Sequence, residues 1–428
     1  MNTFYLTPKL FTCMKGYNGK QLVKDLVAGL IVAIIALPLS IALAIASGVP
    51  PVAGVYTAIA AGFVVSLLGG SRVQIAGPTA AFATTVAGIV AVKGMDGLII
   101  ATIMAGIILI VMGACKLGTL IKYIPTSITV GFTSGVAVTI VIGQIKSFFG
   151  LAYAPGINPI ETFEKIEANV HAFPTFSWEA LFVGALCLAF LIGYPKLDNR
   201  IPPSLVAVAI GIVMVRCIPA LENNVSTIGD LYDIPAGVSF VSFGEMDFSF
   251  GKILSLVPDA LTIAVLAAIE SLLSCVVADT MVNSKHNPNA ELVAQGLGNV
   301  ASVLFGGIPA TGAIARTAAN AKNGGRTPVA GMVHAVVLLL VLLFLMPVAG
   351  LIPMPAIAAI LFMVAYNMSE WRHFIAIIKN EKWNVWSVLL ITFVLTVVFD
   401  LVVAIVVGLS VHYLLVLIFW LQKKKTKE

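Results

Sequence analysis

The sequence predicts an all-α polytopic membrane protein of about fourteen transmembrane segments, set out as a 7+7 inverted repeat with a half-helix in each half. Three observations lead there. Composition is the first: of 428 residues, 59% are hydrophobic and 11% charged, with mean hydropathy +1.03. A water-soluble domain carries about 25% charged residues, so this surface is made for lipid. The second is run length. Leu98–Cys115, Val329–Val348 and Val388–Val407 approach the roughly 20 residues that cross a hydrocarbon core, and the short alternating segments of a β-barrel are missing. The third is a pair of short segments, Thr79–Val92 and Gly312–Ala321, each entered through a Gly/Pro-broken extended stretch.

Hydrophobic runs and turn residues place the elements in order. The first half reads Val23–Ala46, Val52–Leu68, Thr79–Val92, Gly97–Cys115, Thr126–Phe148, Trp178–Tyr194 and Ser204–Cys217. The second reads Ile253–Val282, Ala290–Leu304, Gly312–Ala321, Val329–Val348, Ala356–Tyr366, Val385–Val398 and Leu401–Leu421. Each half has an odd number of segments, so tandem halves must have opposite orientation. The short segment is third in each.

Charge tests this order. With the N-terminus inside, the inner connections hold Arg72, Lys116–Lys122, Lys196–Arg200, Lys285, Lys322–Arg326 and Arg372–Lys382. The outer loops hold Glu161, Glu164 and Glu167, then Glu222, Asp230, Asp233, Glu245 and Asp247. Basic connections inside and acidic loops outside follow the positive-inside rule, and Lys423, Lys424 and Lys425 bring the tail back to the cytoplasm. The net charge of +5 therefore reports orientation in a plasma membrane, with no nucleic-acid partner implied.

No cleavable signal peptide is expected, because the first apolar run, from about Leu26, is too long for a signal core. Cys13, Cys115, Cys187, Cys217 and Cys275 are scattered without a CxxC pair and read as small buried hydrophobes. The five histidines are dispersed, and no HExxH, GxSxG, P-loop or paired intramembrane aspartate occurs. These absences speak against an enzyme, a metal centre, any cofactor and primary active transport by this chain alone.

The chemistry centres on the two short segments. A helix starting inside the bilayer has unpartnered N–H groups and about half a positive charge at that end. Two such ends, facing across the midplane, make a site for a small anion from backbone donors. Small residues at Thr79, Ala80, Ala81, Gly312 and Ala313 allow a ligand to approach the backbone, and Thr79 offers a hydroxyl. Those same small residues also suit close helix packing.

Arg316 lies four residues into the second short helix, and a charge at bilayer depth costs about 2.5–3.5 kcal/mol on insertion scales. It either attracts the anion or pairs with Glu270. Glu270 is the other deep charge, with Ser274 at i+4 on the same helix face. A carboxylate there can bind and release a proton, or with the hydroxyl ligate Na⁺, or simply neutralise Arg316. Asp279, Lys285 and Asp400 fall near helix ends, and His334 reads as a packed histidine in an apolar run.

At these residues the chain resembles the sulfate permease (SulP) family of anion transporters. The similarity is carried by Ala36-Leu37-Pro38, Gly48-Val49-Pro50-Pro51-Val52-Ala53-Gly54-Val55-Tyr56 and Gly77-Pro78-Thr79. It continues in Glu270-Ser271-Leu272-Leu273-Ser274, Ala278-Asp279 and Arg316-Thr317-Ala318-Ala319-Asn320. The resemblance implies a mobile core domain (23–117 and 253–349) moving like an elevator against a gate domain (118–220 and 350–421), in a homodimer. Residues 1–22 and 422–428 would be cytoplasmic and 221–252 an extracellular loop.

It also implies anion contacts at Thr79, Ala80 and Ala313 and a cation site at Glu270, Ser274 and Gly312. Sodium-coupled members tend to have aspartate at the position of Glu270 and a hydroxyl at that of Ile314. Both differ here, which favours H⁺ as the coupling ion. Most members continue into a STAS domain, whereas this sequence ends at Glu428. The expectation is secondary transport of sulfate, bicarbonate or a dicarboxylate, H⁺-coupled, with Na⁺ symport or anion exchange as alternatives. A nucleobase–cation symporter would want a carboxylate where Arg316 stands. An uncoupled anion channel gains nothing from Glu270.

Overall fold

Helix forms wherever the sequence supplies a long apolar run, and the breaks fall at Gly, Pro and Asn. The computed structural model describes residues 6–119, 125–197, 201–234, 237, 238, 240–242, 244, 246–399 and 401–425. The predicted loop charges Lys122, Arg200, Glu245 and Asp400, and the side chains of Lys423, Lys424 and Lys425, lie outside what is described.

The first part of the chain contains α1 (Lys9–Cys13), α2 (Gly19–Ala46), α3 (Pro51–Leu68), strand β1 (Ala76–Gly77), a 3₁₀ turn (Ala80–Phe82) and α4 (Ala83–Ala114). Then come α5 (Thr126–Phe149), α6 (Thr162–Ala172), α7 (Trp178–Gly193), α8 (Pro203–Cys217), α9 (Pro219–Asn224) and α10 (Ile228–Leu231). The second part has α11 (Phe250–Val282), α12 (Pro288–Leu304), strand β2 (Thr311–Gly312), α13 (Ile314–Lys322), α14 (Val329–Phe344) and α15 (Met346–Ala349). It closes with α16 (Met354–Met368), α17 (Trp371–Asn380), α18 (Trp383–Val398) and α19 (Leu401–Lys425).

Helix occupies every predicted segment. Six of the described helices are long and apolar enough to cross a membrane by length and composition: α2, α3, the 3₁₀ turn with α4, α5, α7 with its 3₁₀ extension, and α11. Pro203–Cys217, Val329–Phe344 and Trp383–Val398 are apolar but shorter. Two expected helices, Thr79–Val92 and Gly97–Cys115, run on as one element broken at Gly94, where φ is 70° and ψ 179°. Glycine alone takes that backbone without strain, and an ion pair from Lys93 to Asp259 of α11 flanks the break.

Some boundaries differ from the sequence reading. The half-helix expected from Gly312 starts at Ile314, because Thr311 and Gly312 are extended and paired with β1. The apolar run Val329–Val348 divides at Leu345, just ahead of Pro347. The segment 221–252 is also more than a loop. It holds the end of α9 and all of α10, and it is tied to the start of α16 by Ile228 N–H donating to Ile352 O (2.9 Å) and Met354 N–H to Ser226 O (2.9 Å).

The helices pack as two groups. In one, α12 lies against α3 and α4, α11 against α4 and α13, and α14 against α2 and α3. In the other, α18 lies against α5 and α19, and α16 against α5 and α7. α2 touches α16 and α8 where the groups meet. The first group holds the two strands and both half-helix starts. An anchor at its base is the buried Asp25 of α2, which accepts Thr327 Oγ1 (2.6 Å) and Arg326 N–H (2.9 Å) from the turn after α13.

Candidate functional site

Two extended segments at the heart of a helical membrane protein need partners for every backbone group, since lipid offers none. Part of the answer is that they pair with each other. β1 and β2 are antiparallel, with Ala76 opposite Gly312 and Gly77 opposite Thr311, and Ala313 N–H donates to Ile75 O at 2.8 Å. The rest comes from side chains. Thr317 Oγ1 accepts Ile75 N–H (3.0 Å), and Asn320 Nδ2 donates to Val73 O (2.9 Å). On the other stretch, Asn299 brackets Ala310, accepting its N–H (2.8 Å) and donating to its carbonyl (2.9 Å). Thr57 Oγ1 accepts Ile308 N–H (2.7 Å), and Ser271 Oγ accepts Gly312 N–H (3.0 Å).

This ladder aims two helix starts into one region. Thr79, with φ −127° and ψ 158°, is still extended, and Ala80 begins the turn that leads into α4. Ala313, with φ −83° and ψ 107°, caps α13. The first-turn N–H groups of α13 (Ile314, Ala315 and Arg316) precede any intrahelical acceptor. Ile314 and Ala315 are exposed, whereas Thr79 is half-buried and Ala80 and Ala313 are buried. The sequence reading assigned the backbone of Gly312 and Ala313 to the anion. Both of their N–H groups are already engaged, so the donors at this end are those of Ile314 and Ala315.

Glu270 of α11 sits beside the first start. Its Oε2 accepts the Thr79 hydroxyl at 2.8 Å. Arg316 does not pair with it: Nη2 donates to Pro78 O at 3.3 Å, and no ion pair joins the two among the described residues. The salt bridge left open by the sequence is therefore not formed. Ser274 is also turned elsewhere. Its hydroxyl donates to Gln74 Oε1 (2.8 Å) and lies 3.3 Å from Thr317 Oγ1, so it offers a cation lone pairs alone.

Gln74, Ser271, Thr311 and Thr317 were given no role in the site from the sequence. Gln74 is the hub, accepting from Ser274 and donating Nε2 to Ser271 O (3.0 Å). It lies so close to Gly312 that a Cβ there would overlap its amide and push Gln74 off its bonds to Ser271 and Ser274. Glu291 and Asn299 of α12 were likewise given no role. Glu291 Oε2 accepts Gly70 N–H (2.9 Å), holding the chain as it enters β1. Their signal was present: Glu291, Gln295 and Asn299 recur every four residues, a polar stripe along one helix face.

Thr79 donates to the carboxylate at the start of the first half-helix, so Thr79→Val is expected to lower anion affinity and pH-driven uptake together, each by about tenfold. Thr79→Ser should keep both. Uptake at saturating and at limiting anion separates the two effects, and unchanged values for Val would remove the hydroxyl from the site.

A two-stranded ladder that aims paired half-helices into a deep acidic and hydroxyl-lined centre belongs to a polytopic helical membrane transporter. The comparisons agree with this class. The profile of the Sulfate permease family matches residues 22–392, and the chain belongs to that family, whose members transport sulfate and bicarbonate. It is 42% identical over 414 residues to the putative sulfate transporter YvdB of Bacillus subtilis, covering 96% of this chain and 75% of that protein. It is 33% identical over 382 residues to the bicarbonate transporter BicA of Picosynechococcus, covering 86% of this chain and 65% of that one. The transmembrane domain of a cyanobacterium BicA superposes with a TM-score of 0.79 at 28% identity, covering 93% of this chain and 98% of that domain.

Proposed function

We propose that the protein is a secondary active transporter of a small anion of the sulfate, bicarbonate or dicarboxylate class, driven by H⁺ taken up at Glu270. The observation that carries this reading is the convergence of two half-helix starts beside a Thr79–Glu270 hydrogen bond. Backbone donors hold the anion, the Thr79 hydroxyl gives its one hydrogen to charged Glu270 and is released toward the anion once Glu270 is protonated and donates to it, and Arg316 contributes positive field from behind β1. The coupling proton follows from chemistry. A proton needs one basic atom, whereas a sodium ion wants a shell of oxygens. Here Ile314, at the start of α13, has no side-chain oxygen to add to such a shell.

Fourteen membrane segments, drawn from these helices, form two inverted halves, with both termini cytoplasmic in the plasma membrane. The group α2–α4 with α11–α14 carries the site and moves as an elevator past α5–α8 with α16–α19, in a homodimer. This division is supported by the packing, since the two groups meet over fewer helices than each holds within itself.

Proteoliposome uptake of labelled sulfate, bicarbonate, chloride and fumarate, with and without pH and Na⁺ gradients, tests the reading. Accumulation of one anion down a pH gradient supports it. Accumulation following Na⁺ alone, or flux that never exceeds equilibration, overturns the coupling.

Arg316→Ala is expected to weaken anion binding about thirtyfold. A unit charge at about 8 Å and an effective dielectric of about 20 contributes about 2 kcal/mol. Arg316→Lys should recover most of the loss. Titration calorimetry on folded, monodisperse protein checks both, and unchanged affinity in the alanine variant would make Arg316 purely structural.

A further inference from the structure

Arg316 is among the largest fully buried side chains, 1% exposed, yet among the described residues its side chain makes one hydrogen bond, the 3.3 Å contact to Pro78 O. Its Nε and Nη1 have no partner among the described residues. Nη1 lies against the Cα of Gly77 in β1. The next carbonyl back along that strand, Ala76 O, faces Gly62 of α3, and so does the ring of His334 from α14, through Cε1 and Nδ1. His334 is 0% exposed and neither ring nitrogen has a partner among the described residues. One turn further along the α3–α14 contact, Ser66 Oγ is likewise buried and unpartnered, packed against Gly331.

Five buried polar atoms thus gather where β1, α3, α13 and α14 meet. Buried polar groups of native proteins are satisfied by protein or by ordered water, and an exception needs an explanation. Packing alone does not supply one, because an apolar side chain would fill the place of His334 without leaving two ring nitrogens unmet.

We propose that Arg316 and His334 enclose a buried hydration site, and that His334 is a positioning residue for Arg316. Guanidinium N–H groups donate to one or two ordered waters, and the waters donate on to the acceptor nitrogen of the imidazole and to Ala76 O. A water needs two to four polar partners, and this place offers donors and acceptors in that number. Water suits the place better than a second anion, because a backbone carbonyl and a ring nitrogen lone pair both repel negative charge. The link keeps the guanidinium against Gly77, behind the half-helix starts, where its field acts on the anion without direct contact. The inference rests on the anion site proposed above.

His334→Leu fills a similar volume but cannot accept a hydrogen bond. His334→Gln can. The expected result is about tenfold weaker binding of sulfate or bicarbonate, whichever the wild type takes, for the leucine variant, with near wild-type affinity for glutamine. Thermal stability of the leucine variant should be equal or higher. In an Arg316→Ala background, His334→Leu should have no further effect on affinity, a non-additivity that a packing role would not give.

Wild-type affinity in His334→Leu would overturn the proposal, and so would equal losses in leucine and glutamine. Independent losses in the double variant would do the same. Bromide density between Arg316 and His334 in crystals grown with bromide would make the place an anion site and end the hydration reading. A wild type that binds no anion of the panel fails at the earlier step, which separates collapse of the functional reading from collapse of this one.

Discussion

Glu270→Gln is expected to abolish uptake driven by a pH gradient while anion binding survives within about threefold. The substitution removes one property and keeps the rest. Glutamine has the shape of glutamate, and its amide oxygen can still accept the Thr79 hydroxyl that Glu270 Oε2 accepts at 2.8 Å. It cannot take up a proton. A pH difference of one unit is worth about 1.4 kcal/mol per proton, so one coupled proton sustains about tenfold accumulation. The variant should therefore equilibrate the anion, with internal and external levels alike, while the wild type concentrates it. Labelled uptake followed to steady state, at clamped membrane potential, reads the difference directly. Retained pH-driven accumulation would sink the assignment of Glu270. Loss of binding as well would mean that the carboxylate holds the site together and does not couple it.

Much of the fold was legible because lipid simplifies the code. An apolar run of spanning length has few alternatives to helix, and the charges of the loops orient it. The breaks at Gly94 and ahead of α13 were visible as Gly- and Pro-containing punctuation. The helices that do not span were harder. α6 begins with a capping box, Glu161 with Glu164, and α17 joins Trp371, Phe374, Ile375 and Ile378 on one side to Arg372, His373 and Lys379. Both signals lay in the sequence, within stretches read as loops because they were polar.

The site divided along the same line. Thr79, Glu270, Ala313 and Arg316 stood out because a hydroxyl, a charge or a lack of bulk is conspicuous at depth. Which of them meet was not legible. Arg316 and Glu270 are opposite charges on neighbouring segments, and pairing them is the natural guess. Yet the hydroxyl of Thr79 reaches the carboxylate, and Pro78 O receives the guanidinium, because the crossing strands set both partners. The same holds for Ser274. Helical spacing put it on the face of Glu270, but Gln74 comes from the other half of the chain, 200 residues away, and takes its hydrogen. Contacts of that range are decided by tertiary structure, and single-sequence patterning carries no trace of them.

Ala313→Phe is expected to eliminate anion binding altogether. Ala313 is 8% exposed, caps α13, and has its N–H fixed to Ile75 O at 2.8 Å, so the ladder prevents the backbone from backing away from a larger side chain. The ring has to go where there is space, and the exposed start of α13, at Ile314 and Ala315, adjoins it. That is also where the free N–H donors are, so a phenyl group there excludes the anion from both helix ends at once. Overpacking itself costs about 1–3 kcal/mol, a loss that a domain of this size can absorb and still fold. Binding can then be read through stability. An anion at 100 times its dissociation constant stabilises the wild type by about 2.7 kcal/mol, a clear rise in melting temperature, whereas the phenylalanine variant should show none. Ala313→Ser adds a single oxygen and should retain the rise, which controls for disturbance of the ladder. A full anion-dependent rise in Ala313→Phe would place the binding site away from the half-helix starts and leave the β1–β2 crossing as architecture alone.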